Sequence, residues 1–189
     1  MVMIFAGGHI SGAHYNPAVT LGVWIRGACT AREAGFYLIA QVIGAIVAAL
    51  AAGFLLGHGA TPGASTATAA QVILAEALGT FALVYTVLNV ATAPATAGNS
   101  FYGLAIGFTV FAQAVAVGKV SGGAFNPAVA IGVAVLGLAN GANLWIYWLS
   151  EFLGAAVAAV LFLVINQEKL SLASRDSAQE QTDQSLRAV

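Results

Sequence analysis

Residues 8 to 20 read Gly8-His9-Ile10-Ser11-Gly12-Ala13-His14-Tyr15-Asn16-Pro17-Ala18-Val19-Thr20, and residues 118 to 129 read Gly118-Lys119-Val120-Ser121-Gly122-Gly123-Ala124-Phe125-Asn126-Pro127-Ala128-Val129. Sliding the chain on itself by 110 positions superposes Gly8, Ser11, Gly12, Asn16, Pro17, Ala18 and Val19 on Gly118, Ser121, Gly122, Asn126, Pro127, Ala128 and Val129. Each stretch carries a helix start. An asparagine N-cap offers its side-chain oxygen to the first backbone donors, and a proline at the next position has no donor to waste. Helices are therefore expected to open at Pro17 and Pro127. Glycine closes each of them, near Gly27 and near Gly137, so at about 1.5 Å per residue each covers roughly half the thickness of a bilayer core.

The register continues into the following helix, where Tyr37, Gly44, Ala45, Val47, Ala48 and Ala49 fall on Tyr147, Gly154, Ala155, Val157, Ala158 and Ala159. An apolar composition supplies alanine matches by chance, but not Asn, Pro, Tyr and Ser in one register. The chain is a duplication of the kind found in membrane transport folds. In that register Met1 falls on Phe111, so the first copy is expected to lack its first helix and most of its second, about 40 residues. A fragment, a misplaced start at Met1 or Met3, and a genuine four-helix relative all remain open.

Composition places the duplication in lipid. Apolar residues make up 60% of the chain and charged residues only 7%, against about a quarter charged in soluble domains. Four stretches reach the length of a spanning helix: Ala34 to Leu56, Ala69 to Ala91, Phe101 to Gly118 and Asn143 to Ile165. The second and fourth hold one carboxylate each, Glu76 and Glu151. Met1 to Ala6 is too short to span and lacks the basic start of a signal peptide. Expected domains are a channel domain over 1–165, with a first-repeat remnant over 1–56 and a second repeat over 69–165, and a disordered cytoplasmic tail over 166–189.

A full repeat of three spans inverts its successor across the membrane. Arg26, Arg32, Lys169, Arg175 and Arg187 then flank one side and only Lys119 the other, which makes the shared side cytoplasmic. The two half-helices enter from opposite faces and meet at mid-depth. Irregular backbone survives there only where it is buried or lines water. The runs Gly7 to Tyr15 and Gly118 to Phe125 are accordingly expected to be extended and to line a pore with their carbonyls. Asn16 and Asn126 are expected to present their amide NH2 groups to the lumen, so that a passing water points both hydrogens along the pore and a proton wire is broken. Two positive helix termini add a barrier to cations.

Scattered basic residues exclude a nucleic-acid binder. Histidines at unpaired spacing and the lack of any nucleophile-base pair or nucleotide loop point to no metal, no cofactor and no enzyme. Cys29 reads as a small apolar residue, and His58 as an exposed turn residue in an outer loop.

From Gly7 to Ile165 the chain resembles the aquaporin and aquaglyceroporin family. The resemblance rests most specifically on residues 8 to 20 and on Ala75-Glu76-Ala77-Leu78-Gly79-Thr80-Phe81. It implies an all-α membrane protein, an aquaporin-like inverted repeat with two re-entrant half-helices, assembled as a homotetramer with a pore in each subunit. It makes Asn16 and Asn126 the central donors. His9 and the carbonyls of Ala13, His14 and Tyr15 would line the cytoplasmic vestibule, and those of Gly122, Gly123 and Ala124 the outer one. Glu76 would buttress a re-entrant loop. Glu151, which aligns with Gln41 where the family often carries proline, reads as a packed hydrogen-bonding residue.

The chief departure is Val129, where the family's pattern has arginine in its selectivity filter. Gly123 is its small neighbour there, and either Ile106 or Val110 the fifth-helix contributor. A wide, uncharged filter follows. The implied activity is passive conduction of water and small neutral solutes across a lipid bilayer. A non-conducting fragment or assembly subunit and an ion-coupled transporter are the alternatives.

Overall fold

A computed structural model describes residues 1–57 and 66–187, with side chains described through residue 166. Among the described residues the α-helices are α1 (Val2–Ser11), α2 (Pro17–Ile25), α3 (Ala31–Leu56), α4 (Ala69–Ala91), α5 (Tyr102–Ser121), α6 (Pro127–Val135) and α7 (Leu144–Arg187), with no strand between them. Four helices, α3, α4, α5 and the first part of α7, are long and apolar enough to cross a membrane. The protein is an integral, multi-pass membrane protein. His58 lies outside the described residues.

Local chemistry sets most boundaries. Thr30 and Glu33 form a reciprocal capping box that starts α3 at Ala31, a turn before its apolar run. Thr68 and Gln71 do the same for α4. In both, the hydroxyl accepts the third helical N–H while the longer side chain accepts the N-cap N–H, satisfying two of the four orphan donors.

Two expectations are corrected here. Gly7 to Ser11 and Gly118 to Ser121 are helical rather than extended, because α1 and α5 run on until a left-handed glycine ends them. Gly12 (φ 71°) and Gly122 (φ 92°) are those C-caps, donating to Gly8 O and Gly118 O at 2.9 and 2.8 Å. Only a residue without Cβ enters that region freely. Likewise the tail is not irregular from Asn166, since α7 continues to Arg187. That stretch holds no Gly or Pro, and it is rich in Gln, Glu, Leu, Ala and Ser, mostly residues with moderate to good helix propensity.

Helices α4 and α7 pack directly on each other, and the half-helix α2 lies against both. Ala18, Val19 and Val23 of α2, Val84 and Leu88 of α4, and Ala155, Ala159 and Phe162 of α7 share one buried cluster. Small residues let the backbones close. A Cβ on Gly22 would strike Val84 Cγ1, and one on Gly154 would strike Ala77 O and lie 3.1 Å from Phe81 N. In lipid, where apolar contact alone gives no advantage over the acyl chains, such close approach is what holds helices together. At the end of α2, Arg26 donates from Nε to Thr92 Oγ1 (2.9 Å) and from its terminal nitrogen to Thr92 O (2.8 Å). It thereby ties the last turn of the half-helix to the end of α4. The second half-helix, α6, packs against α3 and α7. The outer faces stay apolar and uncovered, with Phe36, Ile39, Ile43 and Leu50 of α3 all exposed, as a lipid-facing surface should be.

The glycines of α3 and α7 give a direct test. Gly154→Val forces α4 and α7 apart against backbone atoms and is expected to cost about 1–3 kcal/mol or more. Gly44→Ala, at the matched place on α3 with nothing within 4 Å, should be neutral or stabilise by about 0.5–1 kcal/mol. Thermal denaturation of the two variants in detergent, followed by size-exclusion chromatography, is expected to rank them in that order.

Candidate functional site

The two half-helices meet N-terminus to N-terminus, and each is capped as its sequence requires. Asn16 Oδ1 accepts from Ala18 N (2.8 Å) and Val19 N (3.4 Å), and Asn126 Oδ1 accepts from Ala128 N (3.0 Å) and Val129 N (3.4 Å). The amide nitrogens then cross the junction. Asn16 Nδ2 donates to Phe125 O at 2.8 Å, and Asn126 Nδ2 donates to Tyr15 O at 2.9 Å. Each amide thus spends one of its two N–H groups on the other half, rather than presenting both to a lumen as expected. At this depth a buried donor left unpaired is costly, and the opposite carbonyl is in reach.

Delivering those carbonyls strains the chain. Tyr15 (φ 48°) and Phe125 (φ 47°), the two acceptors, both lie in the left-handed region, as does Ala13 (φ 49°). Among the described residues these are the non-glycine positions that do so. Such conformations persist where surrounding contacts over-determine them, and they gather at functional sites.

Those contacts are visible. Tyr147 donates from its hydroxyl to Ser121 O at 2.6 Å, and Tyr37 does the same to Ser11 O, so each tyrosine latches the last turn before a strained loop. On the second loop Glu76 Oε1 accepts from Ala124 N (3.0 Å) and Oε2 from Phe125 N (2.7 Å), and Glu151 Oε1 accepts from Asn126 N (2.9 Å). Both carboxylates are fully buried. One turn along α4, Gly79 leaves room for the Phe125 ring, which a Cβ would strike. The first loop is held differently. Thr20 Oγ1 donates to Asn16 O (3.1 Å) and accepts from Gln41 Nε2 (2.9 Å), with His14 Nδ1 also 3.2 Å away. The His14 ring stacks on Tyr37, with centroids 4.3 Å apart.

A cavity of about 770 Å³ opens on this junction. It brings together His9, Ala13, His14, Tyr15, Asn16, Ala124, Asn126 and Val129 with Ile106 and Val110 of α5. A second cavity, about 790 Å³, lies towards α3 and shares His14, Tyr15, Asn126 and Val129 with the first. Val129 is exposed, at 42%. Pro17, Ala18, Pro127 and Ala128 are buried in the half-helices. Gly122 and Gly123 do not border the first cavity. Gly122 ends α5, and Gly123 (φ 67°) turns the chain against Gly118 and the Phe125 ring, each 3.4 Å from its would-be Cβ. No group of residues suited to a metal ion occurs among the described residues.

Sequence reasoning did not foresee what Glu151 binds, nor the threonine-centred cluster. The only signal for either was an isolated polar residue at matched positions, Gln41 and Glu151, on otherwise apolar helices.

Residues 1–162 match the family model described as Major intrinsic protein. Among curated proteins, the chain is 40% identical over 166 residues to "Probable aquaporin TIP2-2" of Oryza sativa subsp. japonica, covering 85% of this chain and 65% of that protein. It is 40% identical over 161 residues to "Aquaporin TIP2-3" of Arabidopsis thaliana, covering 82% and 63%. With "Aquaporin NIP1-4" of Oryza sativa subsp. japonica it shares 38% over 168 residues, covering 87% and 61%. The chain therefore spans a little under two thirds of the length of the curated relatives it matches.

Glu76 carries a prediction of its own. Glu76→Leu strands two buried N–H groups and is expected to cost about 1–3 kcal/mol for each. Glu76→Gln, which keeps one acceptor, should cost less. Thermal melting of both variants in the same detergent is expected to show the larger loss for leucine.

Proposed function

The chain belongs to the major intrinsic protein family, and from that premise we propose that it forms a passive membrane channel for water and small neutral solutes. The observation that carries the proposal is the reciprocal exchange between Asn16 and Asn126, made where two half-helix N-termini face a cavity. Each Asn keeps one amide N–H beyond the bond to the opposite loop. A water molecule accepting from those remaining hydrogens turns its own hydrogens along the pore axis, and the chain of donors that a proton would follow is interrupted. The facing helix termini repel cations at the same point. No covalent step is involved.

Selectivity is assigned to the cavity wall. Val129 stands where the family's pattern places arginine, and the α5 residues that share its cavity, Ile106 and Val110, are apolar. That stretch of the wall offers no side-chain hydrogen bond and no charge, which suits neutral solutes larger than water. Glu76 spends both carboxyl oxygens and Glu151 one on backbone N–H groups, and neither borders the cavity, which weighs against an ion-coupled transporter. The proposed domain is 1–165, with its first repeat over 1–56 and its second over 69–165. The proposed assembly is a homotetramer in the cell or plasma membrane, with the C-terminal end cytoplasmic by the excess of basic residues on that side.

Two measurements follow. Vesicles holding the protein should shrink faster in an osmotic step than empty ones, with a low activation energy and no dependence on a coupling ion. Shrinkage at the rate of empty vesicles removes the channel proposal. Val129→Arg is expected to lower glycerol or urea permeability while water flow persists, and unchanged solute permeability would place the constriction elsewhere.

A further inference from the structure

Glu151 breaks the symmetry of the repeat at its most sensitive point. Its counterpart, Gln41, reaches the Thr20 hydroxyl and leaves the backbone of the first asparagine to other groups. Glu151 instead accepts the backbone N–H of Asn126 itself, 2.9 Å away and fully buried. With Glu76 on Ala124 and Phe125, three successive N–H groups end on carboxylate oxygens. Asn126 is thereby fixed at every polar atom that precedes α6: its N–H on Glu151, its Oδ1 on the first donors of α6, and its Nδ2 on Tyr15 O. Glu151 Oε2 has no hydrogen-bond partner among the described residues, so the Asn126 bond is its structural link to the loop.

We infer that Glu151 is a positioning residue for Asn126, setting the peptide plane from which that side chain both caps α6 and donates across the junction. A hydrogen bond to a buried oxygen carried on a rigid helix fixes the direction of the N–H as well as its distance. Glu76 accepts from the two residues before Asn126, while the N–H of Asn126 goes to Glu151. Without Glu151 the Asn126 peptide is held only at its other end, through Phe125 O on Asn16 Nδ2, and its N–H is left without an acceptor. The consequence for water conduction rests on the channel proposal; the positioning role does not.

Hydrogen exchange and amide chemical shifts of isotope-labelled protein in detergent or lipid test this. Glu151→Leu is expected to speed exchange of the Asn126 amide about tenfold, the equivalent of one lost hydrogen bond. It should also move that amide proton upfield, with Ala124 and Phe125 unchanged. Glu151→Gln, which keeps an oxygen in place, should restore most of the protection. Leucine leaving Asn126 as it was, all three amides loosening together, or glutamine behaving like leucine would each overturn the inference. In vesicles where the unaltered protein conducts, leucine should lower water flux severalfold and glutamine should retain it. Unaltered protein that passes no water would count against the channel proposal alone, because the exchange pattern still decides the role of Glu151.

Discussion

The exchange of amide and carbonyl between Asn16 and Asn126 is the bond pair on which the rest of the structure depends. Neither half-helix reaches across a membrane, and each begins with N–H groups that no carbonyl of its own can satisfy. One asparagine solves both problems, since its oxygen closes the helix start and its nitrogen reaches the loop that leads to the other helix. The halves then share one junction instead of exposing two raw helix ends to hydrocarbon, where no water is available to satisfy them. The left-handed conformations of Tyr15 and Phe125 are the conformational cost of turning their carbonyls towards the partner.

That cost is offset by anchors on rigid helices, and the two halves use different ones. The tyrosine latches are common to both, because Tyr37 and Tyr147 occupy matched positions and bind matched serine carbonyls. Beyond them the symmetry fails. The second loop hangs on two buried carboxylates, while the first is organised through Thr20, Gln41 and the ring of His14. Two acidic side chains thus serve the backbone before α6, whereas a hydroxyl, an amide and an imidazole serve the start of α2. The junction is geometrically paired but chemically uneven.

How much of this the sequence discloses follows from the range of each cause. Capping is local, so Asn-Pro at two places gave both half-helices and their first hydrogen bonds. Hydropathy gave the four spans, but missed the first turn of α3 because Arg32 and Glu33 lie there, inside a capping box. Glycine misled in one respect. Gly7, Gly8 and Gly118 lie in runs expected to be extended, yet the helices continue through them and stop at Gly12 and Gly122, the positions where a left-handed residue is needed. Polarity misled in another, since residues beyond Asn166 have the composition of a solvated tail but nothing that breaks a helix. The partner of Glu151 was beyond reach for a plainer reason. A carboxylate on an apolar helix declares that it needs a donor, but which N–H across a packed interface provides it depends on the register between α4, α7 and the loop, set by Gly154 against Ala77 and Gly79 against Phe125.

The same division separates what the junction does from what the wall does. The junction is built from backbone groups and two amides, all tied into helix caps, so a change there threatens the meeting of the half-helices themselves. The wall is built from side chains one turn further on. Val129 donates its N–H to the cap of α6 while its side chain faces both cavities. Its backbone therefore belongs to the junction, whereas the character of its side chain is free of the fold. In the proposed channel a valine there, with Ile106 and Val110 in the same cavity, forms an apolar stretch of wall along which a solute gives up water contacts that only the polar groups nearer the junction replace. Solutes that bear few hydrogen-bonding groups for their size lose least by entering. In the proposed channel the filter would sort by hydration as much as by width, with charge excluded separately at the helix termini.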